Sequence, residues 1–378
     1  MRSKRPSTFW RILLLSPLLI SLGVFSSDSL PVVRGGFDDS AGPIEPNVRI
    51  GVFGLFHPKQ FMLSAVEGQA LVLRSEAQSI VLENSGVRSA TARIEPSQVV
   101  VTHGAQVLRG RSIQVAGRAN QPVDFILAIP GKITRHYHGL LEIKPASGEL
   151  SAIVTIELET AVASVVAAES SSDMPLEALK AVAIAARSYF VSGRGRHHEF
   201  DFCDTTHCQF LRTPPSPDSR FAKAVQETRS LVLSYLGKSF AAMYTRSCSG
   251  RTRIPAELGL PDTTYPYYAV ACSHCRLHPA HWTSRISSQE APSLRADNEN
   301  LRLAIDHRLG WSAVPSNNFT VQREGDSLLL RGVGNGHGIG LCQTGAKAMA
   351  EAGAGYQDIL HHYYPNANIV SYLRSNRP

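Results

Sequence analysis

The chain has 378 residues, and because this exceeds the usual length of one domain, two domains are the first expectation. Its 38 lysine and arginine residues outnumber its 31 aspartate and glutamate residues, which gives a formal net charge of +7. The basic residues are scattered along the chain rather than clustered. The charge therefore suits an anionic partner without indicating a nucleic-acid-binding patch, and we predict no nucleic-acid partner.

Residues 1–28 combine a basic start, an apolar core and a small, polar end (MRSKRPSTFWRILLLSPLLISLGVFSSD). This order is typical of an export signal, so we expect an exported protein that lies in the cell envelope, the periplasm or the cell wall. The alternative is an uncleaved membrane anchor, but the apolar stretch is short for a bilayer and contains Pro17. No other stretch predicts contact with a membrane. Residues 29–46, rich in Gly, Pro, Asp and Ser, are predicted to form a linker.

From residue 47 onward, short runs of alternating apolar and polar residues are separated by turn residues, as in VRIGVF, ALVLRS and QVVVTH. A period of two predicts β-strands, so residues 47–132 are predicted to be a β-rich N-terminal region, and the alternation extends to about residue 157. This region contains no obvious group of chemically active residues. A role as scaffold or binding platform is therefore favoured.

The pattern changes at Thr160, where Ala-rich runs with helical periodicity begin (TAVASVVAAES and MPLEALKAVAIAARSYFVSG). Residues 219–239 predict a helix followed by a strand, and residues 343–364 predict a pair of helices. The second half is therefore mixed α and β. For the whole chain, the predicted fold class is α+β, with a β-rich region first and a mixed α/β domain after it.

Two glutamates are candidates for acid–base chemistry. Glu169 ends the apolar run AVASVVAAE and is followed by three serines, which predicts a helix end. A carboxyl group with alanine and valine behind it and a polar cleft in front can have a raised pKa, as a general acid requires near neutral pH. The alternative is a solvated glutamate. Glu177 lies in the first turn predicted after Pro175, where a glutamate stabilises a helix N-terminus, so a structural role is favoured there.

All six cysteines lie in the second half of the chain and hence in one predicted domain. Two groups of cysteine and histidine, in HHEFDFCDTTHCQF and ACSHCRLHPAHW, have spacings typical of zinc ligands. Taken together they predict one tetrahedral zinc site with ligands drawn from His197, Cys203, His207, Cys208, Cys272 and Cys275. Two disulfides would explain the same cysteines, so both interpretations stay open.

The remaining two cysteines, Cys248 and Cys342, have no partner at a local spacing. They are candidates for a disulfide with each other, which would connect two segments nearly a hundred residues apart. The alternative is two independent buried thiols.

Residues 332–342 (GVGNGHGIGLC), called the glycine segment below, have glycine at every second position from 332 to 340, with His337 among them. Glycine permits positive φ and the close approach of another chain, so the segment predicts a place where something lies against the main chain. Neither of the common phosphate-binding patterns, G-x-G-x-x-G and G-x-x-x-x-G-K-[ST], is present.

Four motifs occur in the order seen in one family: VVAAE with PLEALKAVAIAARSYF, then FCDTTHCQF, SCSGRT and GHGIGLCQTGAKAMAEAGAGYQDILHHYYP. They resemble the domain shared by stage II sporulation protein D and the amidase enhancer of bacterial cell-wall autolysis. The resemblance runs from about Ile133 to Val370. It implies a domain of this family at residues 133–372.

The resemblance implies a lytic transglycosylase that acts on peptidoglycan glycan strands stripped of their stem peptides. The catalytic glutamate of the family falls on Glu169, with Glu177 as second choice. The zinc ligands of the family correspond to Cys203, His207, Cys208 and one of His197 or His198. The chain departs from the family pattern after Glu169, where two serines replace Met-Pro, and at Cys248 and Cys342, where serine is common.

A transglycosylase needs one carboxyl group, which protonates the glycosidic oxygen and then removes a proton from a hydroxyl of the sugar itself. The glycine segment is then interpreted as a floor for a polysaccharide, with His337 at the reacting centre; the alternative is a packed turn in which His337 is satisfied internally. Arg187 anchors a glutamate or lies on the surface. Predicted substrate-binding residues are Arg187, Gln209, Gly336, Gly338 and Gln343.

Three hypotheses for function follow. The first is an exported transglycosylase with peptidoglycan glycan strands as partner. The second is a non-catalytic wall-binding protein that enhances an N-acetylmuramoyl-L-alanine amidase, which would be its protein partner. The third is a zinc-dependent hydrolase. The biological setting stays open among sporulation, division and general wall turnover.

Overall fold

The computed structural model describes residues 47–83, 89–205, 207–261, 263–290, 298–310 and 312–373. The predicted signal or anchor (1–28) and linker (29–46) lie outside these residues. The first strands run β1 Asn47–Val52, β2 Gln60–Ala65, β3 Leu71–Arg74, β4 Ser79–Leu82, β5 Ser89–Glu95, β6 Gln98–His103, β7 Gln106–Gly110, β8 Ile113–Ala116, β9 Val123–Ile129, β10 Ile133–Ala146 and β11 Glu149–Glu157.

Helices and shorter strands follow. They are α1 Leu158–Glu169, α2 Leu176–Ser192, β12 Phe202–Cys203, α3 Arg220–Glu227, β13 Leu231–Tyr235, β14 Lys238–Ser239, β15 Tyr244–Thr245, α4 Ser273–Leu277, β16 His281–Ser287, α5 Asn298–Leu309, β17 Phe319–Glu324, β18 Ser327–Val333, β19 Leu341–Cys342, α6 Gln343–Glu351, α7 Tyr356–Tyr363 and β20 Asn368–Ser371. The predicted α+β class and the strand-rich N-terminal region are confirmed.

One large sheet dominates the first half, in the order β12-β1-β11-β10-β9-β2-β5-β6-β7, with β8, β3 and β4 branching from β10. Its pairs are antiparallel except that β12 joins the edge parallel to β1, where Cys203 aligns with Gly51. The domain boundary predicted between residues 132 and 133 falls in the turn that connects the paired strands β9 and β10. Strand β1 also pairs with β11, so this sheet includes strands from both sides of that boundary; the division itself stays a prediction.

The helices pack beside this sheet around α2. Almost every residue of α2 from Ala178 to Val191 is buried, because α1, α3, α6, α7 and β13 surround it. An Ala-rich helix that is apolar on all sides is stable only in such an interior position. Helix α1 begins directly after β11, where the Glu157 carboxylate accepts a hydrogen bond of 2.8 Å from the Thr160 N–H and caps the helix.

The second half adds three small sheets. Strands β14-β13-β20 and β16-β18-β17 form two antiparallel sheets, and β15 pairs in parallel with β19. A separate small core forms between the second of these sheets and α5; it contains Ile286, Leu301, Ile305, Val314, Phe319, Leu328 and Leu330. Over the ranges given above, the structure contains no helix that is long and apolar enough to cross a membrane.

Candidate functional site

The C-terminal end of α1 is the centre of the candidate site. Helix α1 stops at Glu169 because Ser170 adopts an extended conformation, and the Glu169 carboxylate then accepts a hydrogen bond of 2.8 Å from the Phe210 N–H. The backbone carbonyl of Glu169 accepts a second one, of 3.1 Å, from the Arg246 guanidinium. Two distant loops therefore hold the end of this helix.

The Glu169 carboxyl group is held in an environment that favours its neutral form. Loss of hydration raises its pKa from 4.5 to about 7, and this effect outweighs the hydrogen bonds from Phe210 and Tyr244 and the positive charges of Arg212 and Arg246, which lower the pKa. Both protonation states are therefore populated near neutral pH. A group that first donates and then accepts a proton needs this property.

Tyr244 connects Glu169 to the residues behind it. Its hydroxyl group interacts with the Glu169 carboxylate and donates a hydrogen bond of 3.2 Å to the side-chain oxygen of Gln209. The Gln209 amide in turn donates to the Ala186 carbonyl in α2. Gln209 was predicted to bind substrate, but it is buried and oriented by the protein itself. Gln343, also predicted to bind substrate, is buried at the first position of α6.

The second predicted catalytic glutamate, Glu177, has different surroundings. It lies in the first turn of α2, where its carboxylate accepts hydrogen bonds of 2.7 Å from the Lys180 ammonium and 3.0 Å from the Tyr356 N–H. Partial burial by itself would raise the pKa of Glu177. The two hydrogen bonds and the Lys180 charge together lower this pKa by more than burial raises it, so the net shift is downward. Glu177 is thus kept ionised and links α2 to the N-terminus of α7, which agrees with the structural role favoured from the sequence.

Arg187 was predicted to bind substrate, and the structure contradicts this. Its side chain is completely buried and forms a two-pronged ion pair with Glu159 of α1, with the shortest N–O distance 2.6 Å. It also donates to the carbonyls of Val225 and Leu231. Arg187 does anchor a glutamate, as the sequence suggested, but the glutamate is Glu159 rather than either catalytic candidate.

Four of the predicted metal ligands converge, and they are called the Cys/His cluster below: His197, Cys203, His207 and Cys208. Their ligand atoms all lie within 4.8 Å of one another. The His197 Nε2 atom is 3.4 Å from the Cys208 sulfur, and the His207 Nδ1 atom is 3.6 Å from the Cys203 sulfur. Two sulfurs and two imidazole nitrogens are a donor set that suits tetrahedral zinc. Of the two histidines that the resemblance left open, the structure selects His197.

The prediction of one site that also includes Cys272 and Cys275 is wrong. These two sulfurs lie in a second group, called the four-cysteine cluster below, together with Cys248 and Cys342. Its members come from distant parts of the chain, so local spacing could not show how they combine. The predicted disulfide between Cys248 and Cys342 is not formed, because both cysteines are free thiols in the structure.

The glycine segment lies against another part of the same chain. Gly340 has φ +71, and a Cβ atom at this position would overlap the carbonyl oxygen of Met243. The N–H groups of Gly336 and Gly338 donate to the Pro315 carbonyl and the Thr245 hydroxyl. The expectation that these two amides are free to bind a sugar is therefore wrong. The packed-turn interpretation describes the segment.

His337 is held in place by main-chain contacts. Its Nδ1 atom accepts a hydrogen bond of 3.0 Å from the Ile339 N–H, and its ring also hydrogen-bonds the backbone of Tyr244. Burial lowers its pKa from 6.5 to about 4, although the Glu299 carboxylate opposes this shift. The imidazole is therefore neutral at pH 7. It touches the backbone of the same tyrosine whose hydroxyl meets Glu169, and its predicted place at the reacting centre stays a prediction.

Sequence reasoning missed three residues beside Glu169: Tyr244, Arg212 and Arg246. Arg212 is the second residue after FCDTTHCQF, and the other two come just before SCSGRT, so the motifs indicated the segments but not these side chains. Arg212 lies over the Phe210 ring, 4.6 Å from its centre, while Arg246 is exposed. The charged groups whose fields act on the candidate acid are therefore cations.

The family model described as stage II sporulation protein, SpoIID, matches residues 146–235, which include Glu169 and the Cys/His cluster. An uncharacterized protein of Brachyspira hyodysenteriae is 29% identical, over 64% of this chain and 74% of its own length. The amidase enhancer of Bacillus subtilis is 26% identical over 54% of this chain, and the matched part is 39% of that protein. Stage II sporulation protein D of Bacillus amyloliquefaciens is 23% identical, over 57% of this chain and 75% of its own length.

These matches, together with the motifs, define the class of protein for part of the chain: residues 146–235 match the SpoIID family, and the chain is similar to stage II sporulation protein D and the amidase enhancer. The sequence resemblance is thereby confirmed.

Proposed function

We propose that this chain has a role at the bacterial cell wall and acts there as a peptidoglycan lytic transglycosylase with Glu169 as its single acid–base group. The observation that carries the proposal is the Glu169 carboxyl group, whose pKa is raised to about 7 at the end of α1. The charged residues that act on this carboxyl group, Arg212 and Arg246, both carry a positive charge. This arrangement favours a one-carboxylate mechanism over hydrolysis with a pair of carboxylates.

In the proposed reaction, the Glu169 carboxyl group donates its proton to the glycosidic oxygen as the bond between that oxygen and the anomeric carbon breaks. The resulting carboxylate then takes the proton of the sugar's primary hydroxyl group. That oxygen bonds to the anomeric carbon and closes an anhydro ring, so no water enters the products. Tyr244, whose hydroxyl group lies against both Glu169 and Gln209, positions the carboxyl group: it donates to Gln209 while Glu169 is protonated and turns to donate to the Glu169 carboxylate once that proton has left.

The charges around Glu169 support a glycan without stem peptides as substrate. Once a stem peptide has been removed, each muramic acid unit carries a free carboxylate. The Arg246 guanidinium is exposed next to Glu169, and that of Arg212 is half-buried nearby, so both can pair with such carboxylates. Intact strands lack these negative charges on the lactyl groups and would lose this attraction.

We propose further that the Cys/His cluster holds a zinc ion. A set of four protein ligands is typical of a closed, structural zinc site rather than a catalytic one, which keeps a position for water. Its role here is to hold residues 197–208 at the edge of the sheet, so that the adjoining Phe210 N–H points at Glu169. This argument disfavours the hypothesis of a zinc-dependent hydrolase.

The test is mass spectrometry of purified, peptide-free glycan strands after incubation with wild type, Glu169→Gln and Glu177→Gln. We expect anhydro-sugar ends from wild type and from Glu177→Gln, and a loss of about 10²–10⁴-fold in Glu169→Gln. Glu177→Gln is the matched control, because it removes a carboxylate from the next helix. No anhydro ends from wild type, or equal activity in Glu169→Gln, would refute the enzymatic proposal.

A second candidate function is enhancement of a cell-wall amidase without catalysis, and the 26% identity to a protein named amidase enhancer favours it. In that case wild type and Glu169→Gln bind glycan strands equally and raise the rate of an added amidase equally, without new anhydro ends. Export itself is tested by sequencing the N-terminus of protein recovered from outside the cytoplasm.

A further inference from the structure

Four cysteine sulfurs meet in the interior of the second half of the chain. The Sγ atoms of Cys248, Cys272, Cys275 and Cys342 all lie within 4.8 Å of one another, and those of Cys275 and Cys342 are 3.5 Å apart. All four residues are buried, and none of the four forms a disulfide. The cluster joins three segments of the chain: the loop after β15, the start of α4, and the junction between β19 and α6.

The spacing of the sulfurs fits a single tetrahedral metal ion. With zinc–sulfur bonds of about 2.3 Å, the edge of the sulfur tetrahedron is about 3.8 Å, which agrees with sulfur separations of at most 4.8 Å and with the 3.5 Å between Cys275 and Cys342. The four cysteines of an iron–sulfur cluster are divided among two or four iron atoms, so the four sulfurs do not all come this close together. A pair of disulfides would divide the sulfurs two by two, whereas here each sulfur approaches the other three.

Hydrogen-bond donors around the cluster are an independent indication of thiolates. The Gly345 N–H donates to the Cys342 sulfur over 3.4 Å, and the Tyr363 hydroxyl donates to the Cys272 sulfur over 3.5 Å. A zinc ion with four thiolates carries net negative charge, so a buried site needs such donors. Cys342 is also the N-cap of α6, whose positive helix end favours a thiolate.

We propose that the four-cysteine cluster is a second, structural zinc site, distinct from the Cys/His cluster. Its ligands connect β19 and the start of α6 to the loop that follows β15. Thr344, two residues after Cys342, donates to the Arg246 carbonyl from both its N–H (3.0 Å) and its hydroxyl group (2.7 Å). The zinc therefore fixes the backbone of Arg246, whose side chain contacts the end of α1 at Glu169.

The experiment measures zinc per chain by elemental analysis of the full chain, purified without added metal or reductant. Wild type is expected to hold two zinc ions, and Cys275→Ser and the matched control Cys203→Ser one each, since each substitution removes a ligand from a different cluster. X-ray absorption separates the two sites. The zinc in Cys275→Ser should have equal numbers of sulfur and nitrogen neighbours, and the zinc in Cys203→Ser should have sulfur neighbours alone.

Alkylation of denatured, unreduced wild type with a chelator present provides the second measurement. Alkylation of all four cysteines of the four-cysteine cluster, located by peptide mapping, supports the proposal, and a disulfide among these four overturns it. One zinc per wild-type chain with mixed sulfur and nitrogen neighbours also overturns it, while leaving the Cys/His zinc intact. If a variant does not fold, X-ray absorption of wild type alone tests the proposal. With both sites occupied, the average zinc ion should have three sulfur neighbours and one nitrogen neighbour.

Discussion

Two regions of the molecule supply the candidate site, and they are assembled differently. In the helical region, residues 158–210, the main contacts span shorter separations along the chain: Glu159 and Arg187 are 28 residues apart, and Glu169 and Phe210 are 41 apart. In the loop region, residues 243–275 with 332–345, Cys275 and Cys342 are 67 residues apart and Arg246 and Thr344 are 98 apart. Local patterns therefore indicated the helices and the Cys/His cluster of the first region, but they did not indicate which cysteines of the second region combine.

Tyr244 is the point where these regions meet. Its hydroxyl group contacts Glu169 and Gln209 of the helical region, and its backbone contacts His337 of the loop region. The geometry around the candidate acid consequently depends on both regions. Substitutions confined to one region show how much that region contributes to the stability of the protein and to the pKa of Glu169.

The largest effect is expected inside the helical region, from Arg187→Met. The substitution leaves the Glu159 carboxylate buried without its partner, and we expect the free energy of unfolding to fall by about 3–5 kcal/mol. Chemical denaturation measures this. The matched control is the double variant with Glu159→Leu, which removes both charges and should be less destabilised than Arg187→Met alone. An equal or larger loss in the double variant would show that the ion pair is not the cause.

The loop region is tested next by Gly340→Ala. This glycine has φ +71 and its α-carbon faces the Met243 carbonyl, so an added methyl group is strained and sterically blocked. We expect a loss of about 2–4 kcal/mol in the free energy of unfolding. Gly353→Ala is the control, because Gly353 has φ +93 but open space around it, and it should cost about 1–2 kcal/mol. If both variants lose the same amount, the contact with Met243 does not matter.

The pH dependence of stability separates the two glutamates. The pKa of Glu169 is raised from 4.5 to about 7, so the folded state holds a proton that the unfolded state releases, and wild type loses stability as the pH rises between these values. Glu169→Gln should therefore match wild type at pH 4.5 and be more stable by about 1–3 kcal/mol at pH 8. Denaturation at both pH values measures the difference.

Glu177→Gln should show the opposite trend. Because the pKa of Glu177 is lowered, its carboxylate stabilises the folded state above the ordinary pKa, and this contribution disappears as the pH falls. The variant is then less stable than wild type at neutral pH and approaches it in acid. The same pH trend in both variants would contradict the assignment of Glu169 as the desolvated carboxyl group.

The smallest effect is expected where the two regions meet, from Tyr244→Phe. Removing the hydroxyl group takes away a hydrogen bond that lowers the pKa of Glu169, so this pKa should rise by up to about one unit, equivalent to about 0.5–1.5 kcal/mol. Carbon NMR of the labelled glutamate side chains follows the titration. An unchanged or lower pKa would mean that the tyrosine does not contact the ionised carboxyl group.

Parts of the site could be predicted because short-range rules govern them. The spacing in residues 197–208 identified Cys203, His207 and Cys208 with one of two neighbouring histidines, and the run before Glu169 identified the end of a helix. The errors of the sequence analysis concern which residues contact each other, rather than which residues are important. Arg187 was recognised as an anchor but Glu159 was not, since the two meet across different helices, and the cysteines of the second cluster were grouped by their local spacing alone.

By itself, the sequence determined the α+β class, the β-rich first half, the positions of α1 and α2, and the family resemblance. Alternation, helical periodicity and local motifs depend on residues only a few positions apart. Burial of the apolar face stabilises the strand or helix that each pattern predicts. Only the tertiary structure decided which buried groups face each other: four sulfurs in one cluster, glycines against Met243 and Thr245, and a carboxyl group enclosed beside Tyr244. These contacts depend on packing between segments up to 97 residues apart, and local sequence patterns do not encode such packing.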